Sequence, residues 1–198
     1  MKDLKGLIYS ALILTVICAA SALLLAGVRA STSQQIENQI LKFVKKPAIE
    51  KVLAGSTNDP TYDRVKVKMD DGSELDVFIG KFDDKIKIAF EAQAEGYGGT
   101  LNLMVGVDPE TETLVGIGVT TQKETPGVGS RVTEEPFGKQ FPGLALDANV
   151  SIKADGGVID AVSGATVSSR GACEAVRRGI ELYKSQKDKI LEVVKNVQ

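Results

Sequence analysis

The sequence predicts an α+β protein in which one N-terminal transmembrane helix precedes a mixed, largely antiparallel sheet domain with flanking helices. Three observations carry that expectation. Leu7 to Val28 is an uncharged apolar run. From Val65 to Val119 apolar and polar residues alternate in short segments separated by turn signals. Near the end, Ala172, Val176, Ile180 and Tyr183 recur at the spacing of one helical face.

The apolar run comes first. A bilayer core takes roughly 20 apolar residues in helical form, and residues 7–28 meet that length. A cleavable signal sequence is the competing reading, and Val28-Arg29-Ala30 resembles a small-x-small cleavage site. Its apolar region would span only about 7–15 residues, so a retained anchor is the better fit. Cys18 sits in the middle of the run as an inert apolar side chain. Lys2 and Lys5 precede it, opposed by Asp3 and by Arg29 on the far side. The positive-inside rule then places residues 1–6 in the cytoplasm and the bulk of the chain outside, as a single-pass protein of the cell (inner) membrane with its main domain on the periplasmic or extracellular side.

A linker of residues 29–60 follows. Ile36, Ile40, Phe43 and Val44 repeat at helical spacing from Ser31 to about Lys46, and Pro47 is expected to stop that helix. Gly55 to Pro60 reads as a turn or short loop. The main domain is expected over residues 61–184. Val65, Val67 and Met69 alternate with charges, Asp71-Gly72 supplies a turn, and Leu75, Val77 and Ile79 alternate again as a half-buried hairpin. Ile86, Ile88 and Phe90 form a third strand, Leu101 to Val107 a fourth, and Val115 to Val119 a fifth, after a turn at Asp108-Pro109. Such a sheet is expected to keep one face wet.

After Thr120 the character changes. Thr121 to Gly143 is rich in Gly, Pro and Thr, with a short helix expected around Glu134 to Gln140. A connection that long is usually functional or disordered, and its apolar and aromatic content argues against disorder. Val150 to Ile152 and Val158 to Ala161 read as two further short strands around Asp155-Gly156. Ser163 to Thr166 then leads into the last amphipathic helix, and residues 185–198 form a Lys-rich tail with a solvated face.

Composition narrows the chemistry. The 198 residues contain no histidine, no tryptophan and two cysteines far apart. That excludes a Ser-His-Asp triad, a Cys-His pair, His-ligated zinc or haem, and CxxC-based clusters or redox motifs. A formal net charge of −2 with thinly spread Lys and Arg argues against nucleic acid as a partner. Electron transfer here would need a borrowed cofactor.

Three segments can carry chemistry. Gly96-Tyr97-Gly98-Gly99 lets the backbone approach a ligand closely, and equally serves a bulge or tight turn. Glu124-Thr125-Pro126-Gly127-Val128-Gly129 offers carboxylate, hydroxyl and amide groups with little bulk, although taken alone a well-made turn at a strand end is the better reading. Asp160-Ala161-Val162-Ser163-Gly164-Ala165-Thr166 opens a helix. Free N–H groups and the positive dipole end there welcome a phosphate, and an ordinary cap by Ser163 or Thr166 is the alternative. The segment lacks the lysine of a Walker loop and is not a GxSxG elbow.

In this order, downstream of an anchor, the three segments resemble the FMN-binding domain family to which the G subunit of the Rnf complex belongs. The C subunit of the sodium-pumping NADH:quinone oxidoreductase is related to it. Asp160 to Thr166 matches the family's D-x-x-S-G-A-T pattern, and Glu124 to Gly129 matches its E-T-P-G loop with valine where leucine is common. Gly96 to Gly99 matches its glycine-rich turn. The resemblance implies that Thr166 carries FMN through a phosphoester, with Ser163, Gly164 and Ala165 beside it. A separate flavin transferase, using FAD and magnesium, would attach the flavin and would read Asp160. Thr125 and Val128 would lie by the ring, and Glu124, Gly127, Tyr97 and Gly98 would be further cofactor-binding residues. Lys153 is nominated as a basic group within reach of the phosphate or ring.

The resemblance further implies one electron-carrying subunit among the membrane partners of the Rnf complex. That assembly couples electron transfer between ferredoxin and NAD to sodium or proton translocation. The related quinone-reducing pump is the alternative in the same class, although this chain is rather short for its C subunit. A membrane-tethered, non-redox binding or sensory domain is the alternative of another class.

Overall fold

The computed structural model describes residues 2–70, 72–83 and 85–195. Asp71, assigned to the first hairpin turn, lies outside them, as do residues 1 and 196–198 of the two expected termini. The chain divides into two compact units at Leu41 and Lys42.

The first unit is a single helix, α1 (Lys2–Ile40). Leu7, Leu12, Ile17, Leu23 and Leu25 stand exposed along it, and among the described residues it begins the one helical stretch long and apolar enough to cross a membrane. The hydroxyls of Thr15 and Thr32 donate to the carbonyls of Ala11 (2.9 Å) and Val28 (2.7 Å). Such i−4 bonds satisfy polar side chains without water.

A π-turn at Leu41–Lys45 spans the boundary between the units, and the second unit continues into α2 (Lys46–Val52). Pro47 therefore does not end the helical run, contrary to the sequence expectation. It occupies the first turn of α2, where its missing N–H has no intrahelical partner to lose, and the π-turn before it takes up the change of register.

Five strands follow: β1 (Arg64–Lys68), β2 (Glu74–Phe82), β3 (Lys85–Glu95), β4 (Thr100–Asp108) and β5 (Thr113–Thr121). They pair antiparallel in sequence order, with Phe90 opposite Val77 on one side and Val105 on the other. The alternating pattern located every strand. One expectation fails, because the centre of the sheet has no wet face.

Ile88, Phe90, Leu103 and Val105 bury one side against the last helix, α4 (Thr166–Lys195), while Phe78, Ala89 and Met104 are buried on the other. Ala48, Ile49, Val52 and Leu53 cover that second side. The approach is close because glycines line the sheet there. A Cβ on Gly106 would stand 2.3 Å from Val52 Cγ1, and one on Gly118 would stand 2.9 Å from the Ala48 carbonyl oxygen. Glycine in a strand marks this kind of contact.

The long connection from β5 to α4 is ordered by its own apolar residues. It contains a 3₁₀ turn (Gly129–Thr133) and α3 (Glu135–Gly138), shorter than the helix expected from Glu134 to Gln140. Val132, Phe137, Phe141, Leu146, Val150, Ile152 and Ile159 are all buried, with the rings of Phe137 and Phe141 edge to face at 5.4 Å. The two short strands expected near Val150 and Val158 reduce to one parallel bridge between Ile152 and Ile159. The bridge is made by the Lys153 N–H donating to the Ile159 carbonyl and the Ile159 N–H to the Ser151 carbonyl, and the turn around Gly156 adds the Gly157 N–H to the Ile152 carbonyl.

Helix α4 breaks at Gln186 (φ −118°, ψ 15°), whose side-chain amide donates to Asp70 Oδ2 (2.5 Å). Beyond the break Ile190 and Val194 remain buried. At its other end Gly171 lets α4 lie on the end of β3, since a Cβ there would be 2.6 Å from the Glu95 carbonyl oxygen. This contact brings the start of α4 to the β3–β4 turn and to the end of β5.

Candidate functional site

The three sequence segments converge at that end of the sheet, around one buried carboxylate. Glu124 is 5% exposed. Its Oε1 accepts the N–H of Gly98 (3.2 Å), in the β3–β4 turn, and its Oε2 accepts the hydroxyl of Ser168 (2.5 Å), in the first turn of α4. The Gln122 side chain accepts the Glu124 N–H (2.6 Å). Glycines make the socket. A Cβ on Gly96 would stand 2.1 Å from Glu124 Oε1, and one on Gly129 would stand 2.6 Å from Oε2 and 2.7 Å from Ser168 Oγ. Glu124 is thus a clasp beneath the site rather than an exposed contact.

Above the clasp lies an open cavity of about 450 Å³ lined by Tyr97, Thr125, Val128, Gly129 and residues 164–168. Gly164 adopts φ +77° and so turns the chain into the helix in a conformation that a side chain would strain. The carbonyl of Ala165 accepts both the N–H and the hydroxyl of Ser169 (2.9 Å each), and Ser169 Oγ accepts the Val162 N–H (3.0 Å). Ser169 therefore fixes the loop to the helix. The N–H groups of Thr166, Val167 and Ser168 take no carbonyl partner among the described residues. Thr166 is exposed at the cavity wall, and its hydroxyl forms no hydrogen bond among the described residues. Both groups that could cap this helix, Ser163 and Thr166, leave their oxygens uncommitted there.

The remaining nominated residues lie elsewhere. Gly127 (φ +72°) is exposed and donates its N–H to Ser130 Oγ (2.9 Å), which shapes the Thr125–Gly129 turn from outside the cavity. Ser163 and Asp160 face a separate groove of about 220 Å³, together with Arg131, Glu134 and Phe137. Lys153 is paired with Asp160 (2.8 Å), both well exposed, and does not line the cavity. Gln140 grips the backbone of Asp160, accepting its N–H (2.7 Å) and donating to its carbonyl (3.2 Å). The D-x-x-S-G-A-T segment thus has two sides, with Asp160 and Ser163 on one and Gly164, Ala165 and Thr166 on the other.

Sequence reasoning missed Ser168, Ser169 and Gly129. Both serines follow the motif by two and three residues, and only their burial in the fold marks them out.

A neighbouring cavity of about 380 Å³ shares Val167 and runs along the next turns of α4. Its two arginines are already paired. Arg170 clamps Asp155 with two hydrogen bonds (2.7 and 2.8 Å) and so holds that carboxyl below the usual range. Arg177 reaches Ser151 (2.8 Å) and Glu174. Cys173 there is 2% exposed, and burial pushes its thiol up to about 12, so it is no nucleophile.

Helix, cavity and turn together have the size and the free N–H groups that a small molecule with an anionic end requires. Residues 96–181, which hold all three segments, match the FMN-binding domain model. The G subunit of the ion-translocating oxidoreductase complex of Stutzerimonas stutzeri is 30% identical over 188 residues, spanning 90% of this chain and 81% of that one. The protein of the same name from Methanosarcina acetivorans is 28% identical over 94% of this chain and 99% of its own length. The chain belongs to the family formed by the G subunits of ion-translocating oxidoreductase complexes. Among solved structures, the C subunit of the Na(+)-translocating NADH-quinone reductase of Parabacteroides distasonis aligns over 56% of this chain and 61% of that one, at 24% identity and a TM-score of 0.48.

Proposed function

We propose that this chain is an electron-carrying subunit of a membrane complex coupling electron transfer between ferredoxin and NAD to sodium or proton transport. Its FMN would be held covalently at Thr166. The observation that carries the reading is the exposed, unbonded Thr166 hydroxyl at a helix N-terminus that opens into a cavity formed by all three family segments.

The residues present fit FMN. A cavity of about 450 Å³ lies in the range of small-molecule sites, roughly 300–1,000 Å³. The three N–H groups at the start of α4, with the positive end of the helix, would hold the phosphate. Tyr97 and Val128 give the walls apolar surface for a ring, and Thr125 adds one hydroxyl. When bound, the flavin supplies a couple that takes one or two electrons. The protein supplies the tether, the orientation and an open mouth through which neighbouring carriers are reached.

Attachment by a separate flavin transferase would join Thr166 Oγ to the FMN phosphorus of FAD. The pyrophosphate bond breaks, AMP leaves and the hydroxyl proton is lost. Asp160, exposed on the far side of the loop, is free of the cavity and available to be read by that enzyme. The apolar α1 would anchor the protein as a single pass, with its N-terminus cytoplasmic and the second unit outside. Other subunits of the complex are its partners in the membrane.

The test is direct. The full chain, made with and without a flavin transferase, is denatured and run on a gel under ultraviolet light. A fluorescent band only with the transferase, and a mass increase on the peptide holding Thr166, is expected. A dark band in both would refute the tether.

A further inference from the structure

Glu124 has a property that a tethered cofactor does not by itself require. It is a buried carboxylate whose two oxygens both act as acceptors, from Gly98 N–H and Ser168 Oγ–H. Among the described residues no lysine or arginine forms an ion pair with it. The two residues packed against its Oε2, Gly129 and Ser168, also line the cavity that opens at Thr166. Behind the cavity wall there is therefore a buried carboxylate, held at one oxygen by the β3–β4 turn and at the other by the first turn of α4.

We propose that Glu124 is a positioning residue for the flavin cleft and that its charge makes the bound flavin harder to reduce. The proposal rests on the reading of FMN at Thr166. The positioning role follows from the hydrogen bonds. One side chain joins the Gly96–Gly99 turn, the Glu124–Gly129 loop and the first turn of α4. The electrostatic role follows from the location. A charge in the protein interior is screened far less than one in water. Electrons added to the flavin add negative charge, which a buried neighbouring anion opposes, so the reduced form is disfavoured. A neutral amide of the same shape removes the opposition. Only glycines fit around the carboxylate at 96 and 129, so Glu124 packs directly against the backbone there.

The experiment uses the full chain in detergent, made with a flavin transferase, and compares wild type, E124Q and S168A. The midpoint potential is read by dye-equilibrated titration, and the visible circular dichroism of the flavin reports how firmly the ring is held. E124Q is expected to move the potential to a more positive value. S168A, which keeps the charge and loses one tie, is expected to weaken the flavin dichroism with a smaller change in potential. A potential unmoved or lowered in E124Q, in a fluorescent protein, overturns the electrostatic role. Dichroism unchanged in S168A overturns the positioning role, and this arm stands if E124Q does not fold. A wild type without covalent flavin overturns both the tether and this proposal.

Discussion

Alanine substitutions at Thr166, Ser168 and Ser169 separate tether from structure within one turn of α4. The Thr166 hydroxyl is exposed and makes no hydrogen bond, so its loss is a surface change worth within about 0.5 kcal/mol either way. Ser169 is fully buried, and its removal strands the Val162 N–H and ends a bond to the Ala165 carbonyl. An unsatisfied buried donor costs about 1–3 kcal/mol. Ser168 donates to a carboxylate, a bond worth about 1.5–3 kcal/mol.

A unit of this size loses roughly 2–4 °C in Tm per kcal/mol. Thr166→Ala should therefore shift Tm by less than about 2 °C, whereas Ser169→Ala and Ser168→Ala should lower it by about 2–12 °C. Melting followed by circular dichroism on chains made without transferase gives the stabilities, and in-gel fluorescence of chains made with it gives the flavin. Thr166→Ala should abolish fluorescence at unchanged Tm, and Thr166→Ser should restore it in part. If Thr166→Ala melts as early as Ser169→Ala, the hydroxyl is a helix cap. If fluorescence persists in that variant, the attachment lies elsewhere.

Two further outcomes follow from the fold. Gly118→Ala places a Cβ about 3 Å from three atoms of Ala48, so it should cost about 1–3 kcal/mol by overpacking, read as a lower urea midpoint at unchanged slope. Acid should destabilise the second unit, because hydrogen bonds from Gln186 and Lys189 hold Asp70 below its ordinary value, as those from Lys187 hold Glu112 and those from Arg170 hold Asp155. Folded values below the unfolded ones give stability that is fully present above the ordinary carboxylate range, about 4, and lost as pH falls below it through the lowered folded values. Tm should hold from pH 7 to about 5 and fall toward pH 3, with a shallower fall in Asp155→Asn; an identical fall in that variant would remove the Arg170 pair from the account.

The strands were readable because alternation is a local signal: Val65 to Met69 or Leu101 to Val107 declare their own periodicity. The anchor declares itself by length. The second buried face of the sheet was not readable, because α2 and the Leu53 that follows it contribute only four buried apolar residues, and the surface they cover is marked by the absence of side chains at Gly106 and Gly118. Pro47 misled for a related reason. Its effect depends on its position in a helix, which the π-turn before it decides.

The sequence by itself determined the anchor, five strands in order, the closing helix and the three segments at which a flavin could be held. Those are properties of residues close together in the chain. Only the tertiary structure decided their roles. It joined Gly98, Glu124 and Ser168, three residues from distant segments, through one buried carboxylate. It set Asp160 and Lys153 on the far side of the loop from Thr166. Burial and hydrogen-bond partners come from chain crossings, and no local pattern records them.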